Sequence, residues 1–154
     1  MVSSLLAGCG GSDSASTSAG SSDAQTTEQG SSDATAEASG IEGKTVAFIP
    51  KLTGNAFFEV ANDGAQEYAE KWGITVDYMG SSNAAVADQV SVINQAISSG
   101  VDAICISTVD AAGVSDALQE AKDAGIMVTT WDSDANSDDR TLMVSQGTPE
   151  VLGQ

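Results

Sequence analysis

The chain has 154 residues with Lys+Arg 5, Asp+Glu 22 and a formal net charge of −17. Phosphate contacts need clustered Lys and Arg, so this balance excludes a nucleic-acid partner. With His 0 and Cys 2, the commonest general base and metal ligand is absent and at most one disulfide is available, so no cofactor, no metal and no catalytic residue is expected.

In chain order the first segment is residues 1–9. Leu6-Ala7-Gly8-Cys9-Gly10 resembles the lipobox of bacterial lipoproteins, in which the Cys sulfur is acylated and the chain is cut just before it. Cys9 is the expected lipidation site: small residues before it suit a peptidase cleft, and the thiol takes the lipid. A signal peptide has a basic start and an apolar stretch of roughly 7–15 residues. Only Met1 to Leu6 precede the box, without Lys or Arg, so a shortened signal or an upstream start is expected.

Residues 10–43 are almost entirely Gly, Ser, Thr, Ala, Asp, Glu and Gln, with Ile41 as the only large apolar side chain. Such a stretch buries too little apolar surface to offset the entropy of ordering it. Its acids (Asp13, Asp23, Glu28, Asp33, Glu37, Glu42) face no base, and an extended acidic tether is expected. Residues 44–154 hold every Lys, Arg and aromatic residue, and are long enough to bury a core. No segment is long and apolar enough to span a bilayer.

From Lys44 onward a strand–helix unit repeats. Strands are predicted at Thr45–Pro50, Ile74–Met79, Ala103–Ser107, Met127–Trp131 and Leu142–Ser145, mostly as short apolar runs of the kind covered on both faces. Between them lie helical seams: Phe58, Ala61, Ala65, Tyr68, Trp72; then Val86, Val90, Ile93, Ile97; then Val114, Leu118, Ala121. Asn55, Asn83 and Asp110 stand near the helix starts, and all are good N-cap types. Gly73, Gly100 and Gly125 stop the helices immediately before the next strand. This alternation predicts an α/β fold built on a doubly wound, right-handed parallel sheet.

Such a sheet binds ligands outside the carboxyl ends of its strands. Those ends read Pro50-Lys51, Gly80-Ser81-Ser82, Ser107-Thr108-Val109-Asp110, Trp131-Asp132-Ser133-Asp134 and Ser145-Gln146-Gly147-Thr148, with Asn55, Phe57 and Phe58 close by on the first helix. The candidate ligand-binding residues are Lys51, Asn55, Phe57, Phe58, Asp110, Trp131, Asp132 and Gln146. Carboxylates and amides beside aromatic rings suit a small polyhydroxylated molecule. No Gly-rich phosphate loop follows the first strand, where Pro50-Lys51-Leu52-Thr53-Gly54 stands instead.

Val46–Phe58, Asp88–Ile104, Thr130–Asp134 and Ser145–Pro149 resemble the amino-terminal part of the sugar-type periplasmic binding proteins, which include ribose, rhamnose and autoinducer-2 binders. P-K-L-T-G with F-F, W-D-S-D and Q-G-T-P resemble the autoinducer-2/rhamnose branch more than the ribose binders, although Ser145 stands where that branch usually has Asn. The resemblance implies a flavodoxin-like lobe of a type I binding protein. It also implies that Lys51 and Asp132 contact the ligand, with Phe57 and Phe58 lining the pocket. Family members close two lobes on the ligand; the second lobe, with half of the contacts, is expected to be missing from this chain, which stops as a fifth helix begins.

Simpler readings stand beside these. Lys51 also fits a solvated loop, and Asp110 fits a helix N-cap first and a ligand group second. Phe57 and Phe58 cannot both face the core; Phe58 fits the buried seam, which makes Phe57 the better pocket residue. Trp131 fits core and rim equally. Cys105, between Ile104 and Ile106, reads as an inert buried thiol. Asp132-Ser133-Asp134-Ala135-Asn136 imitates the start of a calcium loop but lacks its Gly and closing Glu. The same run also imitates the D-x-D of aspartate-nucleophile phosphatases, but follows the fourth strand rather than the first.

Three function classes result. The leading one is a lipid-anchored extracytoplasmic solute-binding protein, a monomer, that delivers a sugar-like ligand to an ABC transporter permease and performs no catalysis. The same module as a receptor without transport comes second, and a phosphatase-like enzyme third.

Overall fold

Glycine fixes the rhythm of this chain, because two of its helices end on a glycine in the left-handed region: Gly73 (φ 65) after the first and Gly100 (φ 70) after the second. The computed structural model describes residues 40–147. The elements are β1 (Thr45–Ile49), α1 (Ala56–Trp72), β2 (Thr75–Tyr78), α2 (Val86–Ser99), β3 (Ala103–Ile106), α3 (Ser115–Asp123), β4 (Met127–Trp131), one 3₁₀ turn (Ser137–Asp139) and β5 (Leu142–Val144). Lipobox residue Cys9, most of the expected tether and the expected fifth helix lie outside the described residues.

The five strands form one sheet in the order β2-β1-β3-β4-β5, and every neighbouring pair is parallel. This is the doubly wound α/β arrangement: the chain steps from β1 to β2, then crosses back over β1 to β3. Parity along the strands separates two faces. Ala47, Ile49, Ile104, Ile106 and Val128 join Ile93 and Ala96 of α2 and Leu118 and Ala121 of α3 in the main core. The alternate residues include Phe48 and Trp131, whose stacked rings (centroids 4.7 Å apart) meet Phe58 of α1 on the other face.

Folding begins slightly before Lys44. Gly43 donates its N–H to the Gly73 carbonyl at 2.7 Å, and Lys44 donates to Ile41 at 3.1 Å, so the last residues of the expected tether form a turn against the end of α1.

Two helix starts differ from expectation. Asn55 does cap α1, its side chain accepting from Phe57 N–H at 3.0 Å. By contrast α2 starts at Val86 with Ala85 in the cap position. Asn83 belongs to a preceding turn, where its N–H donates to the Ser81 hydroxyl, and that hydroxyl donates to Asp88. Asp110 caps a turn rather than α3 itself: its Oδ1 accepts from Gly113 N–H at 2.6 Å, and the helix begins at Ser115. The first seam is also narrower than predicted. Phe58 and Ala69 are buried, whereas Tyr68 is exposed and rests its ring against Trp72. Among the described residues, no helix is long and apolar enough to cross a membrane.

Candidate ligand-binding site

The crossover from β2 to β3 leaves β1 and β3 adjacent while their following loops diverge, which opens a crevice at the carboxyl ends of the strands. Lys51 follows β1 and Asp132 follows β4. Their side chains meet across the end of β3, with Lys51 Nζ 3.3 Å from Asp132 Oδ2. The same Oδ2 accepts the Ser107 hydroxyl at 2.7 Å. Both partners of the ion pair remain partly open to solvent, so each keeps hydrogen-bonding capacity for a ligand.

Asp132 sits at φ 58, the only non-glycine residue in the left-handed region among the described residues. A left-handed residue folds the chain back on itself at once, and Trp131 and Ser133 form an isolated bridge around it. Asp tolerates this conformation better than most residues with a Cβ. Backbone strain of this kind gathers at ligand clamps and active sites.

The rest of W-D-S-D holds that turn. Asp134 takes a bidentate pair from Arg140, with Nε at 2.5 Å and the terminal nitrogen at 2.7 Å. It also accepts from Thr130 Oγ1 and from Ala135 N–H. Arg140 holds the Asp134 carboxyl below the usual carboxylate range, with Thr130 and Ala135 assisting against the opposing effect of burial. Thr108 ties the same turn to β3 by donating its hydroxyl to the Asp134 carbonyl and its N–H to the Ser133 carbonyl.

These contacts speak against two minor readings of the segment. A calcium loop needs the Asp134 oxygens as ligands, yet both are occupied by Arg140. A phosphatase acid must carry the proton it donates, whereas the bidentate pair with Arg140 favours the ionised form of Asp134.

The aromatic residues divide as their burial dictates. Phe58 is 6 % exposed and Trp131 8 %, which places both rings in the core rather than on the rim. Phe57 is 51 % exposed and stacks toward Trp131 at 6.3 Å between centroids, so it is the open ring of the group. Trp131 Nε1 is buried with no hydrogen-bond partner among the described residues.

Asn55 is exposed, with its side-chain oxygen engaged in capping α1. Asp110 is exposed, with one carboxylate oxygen engaged by Gly113. Gln146 is exposed past the end of β5, beside a turn that Ser145 closes by donating to the Gly147 carbonyl at 2.8 Å. The structure therefore joins Lys51 to Asp132 directly and Phe57 to Phe58 and Trp131 by ring contacts; Asn55 meets this group only through the Phe57 backbone N–H, and among the described residues Asp110 and Gln146 make no hydrogen bond or ion pair to it.

Sequence reasoning missed Ser107, Asp134 and Arg140 as parts of the site. A Ser at a strand end is too common to signal anything, whereas an Arg six residues after an Asp in a turn was a readable cue. Cys105 is a free thiol, half-buried in β3, and burial pushes its pKa up, as suits an unreactive sulfur.

A second concavity, about 600 Å³, lies at the opposite end of the sheet beside Val46, Trp72, Ile97, Val101 and Met127. It is mainly apolar, and the charges at its edge, Lys44 and Asp102, pair with each other at 2.7 Å. The hollow at the carboxyl end of β1, lined by Pro50, Lys51, Ser81, Asn83 and Gln89, is far smaller, and Lys51 meets Asp132 and Ser107 beside it.

Residues 46–153 match the sequence family described as a periplasmic binding protein domain. Among solved structures, the chain is similar to LsrB from Clostridium saccharobutylicum in complex with AI-2: 67 % identity, TM-score 0.70, covering 71 % of this chain and 34 % of that one. It is also similar to an ABC transporter solute-binding protein from Clostridium phytofermentas with bound L-rhamnose: 35 % identity, TM-score 0.66, covering 68 % and 33 % of the two chains. A D-ribose/D-allose-binding protein of Pseudomonas aeruginosa is 28 % identical over 95 residues, covering 60 % of this chain and 30 % of the relative. The chain thus spans about a third of the length of these relatives. On the family match, the fold and the parallel topology, the chain belongs to the periplasmic binding protein family.

Proposed function

We propose that this protein captures a small polyhydroxylated molecule of the rhamnose or autoinducer-2 type outside the cytoplasmic membrane and delivers it to an ABC transporter permease. The observation that carries the reading is the group formed by Lys51, Asp132 and Ser107 at the switch of the sheet, with Phe57 open beside it. A cation, a carboxylate and an exposed ring suit the hydroxyls and the apolar face of a sugar-like ligand. Lys51 and Asp132 are the principal contacts. Asn55, Asp110 and Gln146 extend the polar rim, and Phe58 and Trp131 support Phe57 from behind. Binding of this kind needs no nucleophile or general base, and the protein is not an enzyme.

The same reading divides the chain into an anchor at residues 1–9, a tether at 10–43 and an amino-terminal lobe at 44–154. Lipid on Cys9 holds the protein as a monomer at the outer face of the membrane, and the tether lets the lobe reach the permease. Incorporation of labelled lipid that disappears in Cys9→Ser supports the anchor; undiminished labelling refutes it.

Isothermal titration against AI-2, L-rhamnose, D-ribose and D-allose tests the ligand class. Saturable heat with AI-2 or L-rhamnose, with a weaker affinity in Asp132→Asn, is the expected result. Absence of heat with all four sinks the reading.

A further inference from the structure

Gln89 lies in the first turn of α2 and is only 4 % exposed, in a region where most interior side chains are apolar. Its amide satisfies three backbone groups. Nε2 donates to the Pro50 carbonyl at 3.2 Å and to the Ser107 carbonyl at 2.9 Å, and Oε1 accepts from Val109 N–H at 2.8 Å. These groups belong to the ends of two different strands. Pro50 immediately precedes Lys51, while Ser107 is the residue whose hydroxyl holds Asp132.

The position of these bonds explains what they do. Ser107 N–H donates to the Ile49 carbonyl at 2.9 Å, which closes the pairing of β1 with β3. Past that rung the two chains separate, as they must at a switch point, and the ladder no longer sets their spacing. Backbone groups there still need partners when buried. Gln89 supplies them from the helix side and so spans the gap that the sheet leaves open.

We infer that Gln89 is a positioning residue of the ligand site: it sets the separation of Lys51 and Ser107, and through Ser107 the direction of the Asp132 carboxylate, without meeting the ligand. The inference rests on the strand ends being the ligand site, as proposed above. It adds that affinity depends on an amide buried behind the rim.

The test uses Gln89→Met and Gln89→Glu in the full chain, with AI-2 and L-rhamnose as probes. Gln89→Met keeps similar volume and removes all three bonds. Without ligand, it raises the exchange rate of the Val109 amide and shifts the carboxyl carbon resonance of Asp132. With ligand, it lowers affinity by about tenfold or more, as expected for lost buried hydrogen bonds. Gln89→Glu keeps the acceptor for Val109 but sets a carboxylate against two carbonyl oxygens. Burial and those dipoles push the introduced carboxyl up, so lowering the pH protonates it and restores a donor. Its affinity relative to wild type at the same pH therefore recovers on acidification. Melting curves recorded at each pH separate this from stability: recovery of affinity while the variant is fully folded throughout is the mark of positioning.

Unchanged affinity in Gln89→Met, despite fast Val109 exchange, overturns the inference. So does a Gln89→Glu affinity ratio that stays flat with pH. Where wild type takes neither probe, the functional reading fails. What is then decided without ligand is whether Gln89 sets the direction of the Asp132 carboxylate: a shifted Asp132 resonance upholds that part and an unchanged one overturns it. Should Gln89→Met not fold, the pH series of Gln89→Glu decides the matter.

Discussion

Lys51 Nζ and Asp132 Oδ2 lie 3.3 Å apart although β1 and β4 are not neighbours in the sheet; β3 runs between them and contributes Ser107 to the same oxygen. The ion pair therefore bridges three strand ends, and it presents a cation and a carboxylate side by side to the crevice.

If the proposed site is right, removing either charge is expected to weaken binding. Lys51→Met and Asp132→Asn each lower affinity for AI-2 or L-rhamnose by tens-fold, a few kcal/mol for a lost polar contact to a charged group. Titration calorimetry gives both values. A loss below about threefold in both variants places the ligand elsewhere.

The left-handed turn at Asp132 separates binding from stability. Asn accepts this conformation as Asp does, whereas Ala meets a steric penalty of roughly 1–2 kcal/mol. Asp132→Ala is thus expected to be less stable than Asp132→Asn by about 1 kcal/mol, with both deficient in binding. Denaturant unfolding of the two variants checks the difference. Equal midpoints refute the strain.

Phe57 and Phe58 adjoin in sequence and respond oppositely. Phe58→Ala empties a buried site at a cost of about 3–5 kcal/mol. Phe57→Ala, at an exposed position, is expected to change stability by about 1 kcal/mol or less, yet to weaken ligand binding if the proposed site is right. Thermal unfolding combined with titration distinguishes the two. A Phe57→Ala protein that binds as wild type removes that ring from the site.

Asp134 links the turn to pH. Its carboxyl is lowered from an ordinary value of 3.8, chiefly by Arg140, so it contributes stability above that value. The contribution fades as pH falls from the unfolded value through the lower folded one. Asp134→Asn is therefore less stable than wild type at neutral pH, and the two converge under acid conditions. Melting curves across the acid range follow this. A gap that stays constant to the lowest pH contradicts it.

Tyr78 works at the alkaline end. Its phenol is pushed up to about 12, first by burial and then by donating to Glu59 Oε1 at 3.0 Å. The neutral phenol thus contributes stability that is full below the ordinary value of 10.0 and lost as pH rises through about 12. The same Glu59 oxygen accepts Gly54 N–H at 2.8 Å, which ties the loop after Lys51 to β2. Glu59→Gln is expected to bring the Tyr78 midpoint down, as read by ultraviolet titration. An unmoved midpoint leaves burial as the sole cause.

The architecture was legible in the sequence because its signals are local. Gly73 and Gly100 end their helices in a conformation that favours glycine, and apolar runs such as Ala103–Ile106 read directly as strands. Lys51 and Asp132 were legible as strand-end residues, and the family resemblance joined them as ligand contacts. Their ion pair was not legible, since it depends on how three strands align. Asn83 misled because a good cap residue also suits a turn, and the Ser81–Asp88 bond makes that turn end two residues later. Tyr68 misled because helical spacing identifies a face without saying how far the neighbouring sheet extends beneath it. The partnership of Asp134 with Arg140 needed the 3₁₀ turn between them, which no periodicity announces.

The three-strand bridge has a consequence for stability. Lys51, Ser107 and Asp132 are distant in sequence, so no early hairpin or isolated helix brings them together, and they meet only once β1, β3 and β4 have paired. A ligand held there selects the fully folded sheet over every partly assembled species. It therefore raises the melting temperature of the whole domain according to its free concentration and dissociation constant. Occupancy of this crevice is a vote for the entire sheet, cast at the one place where its separate strands agree.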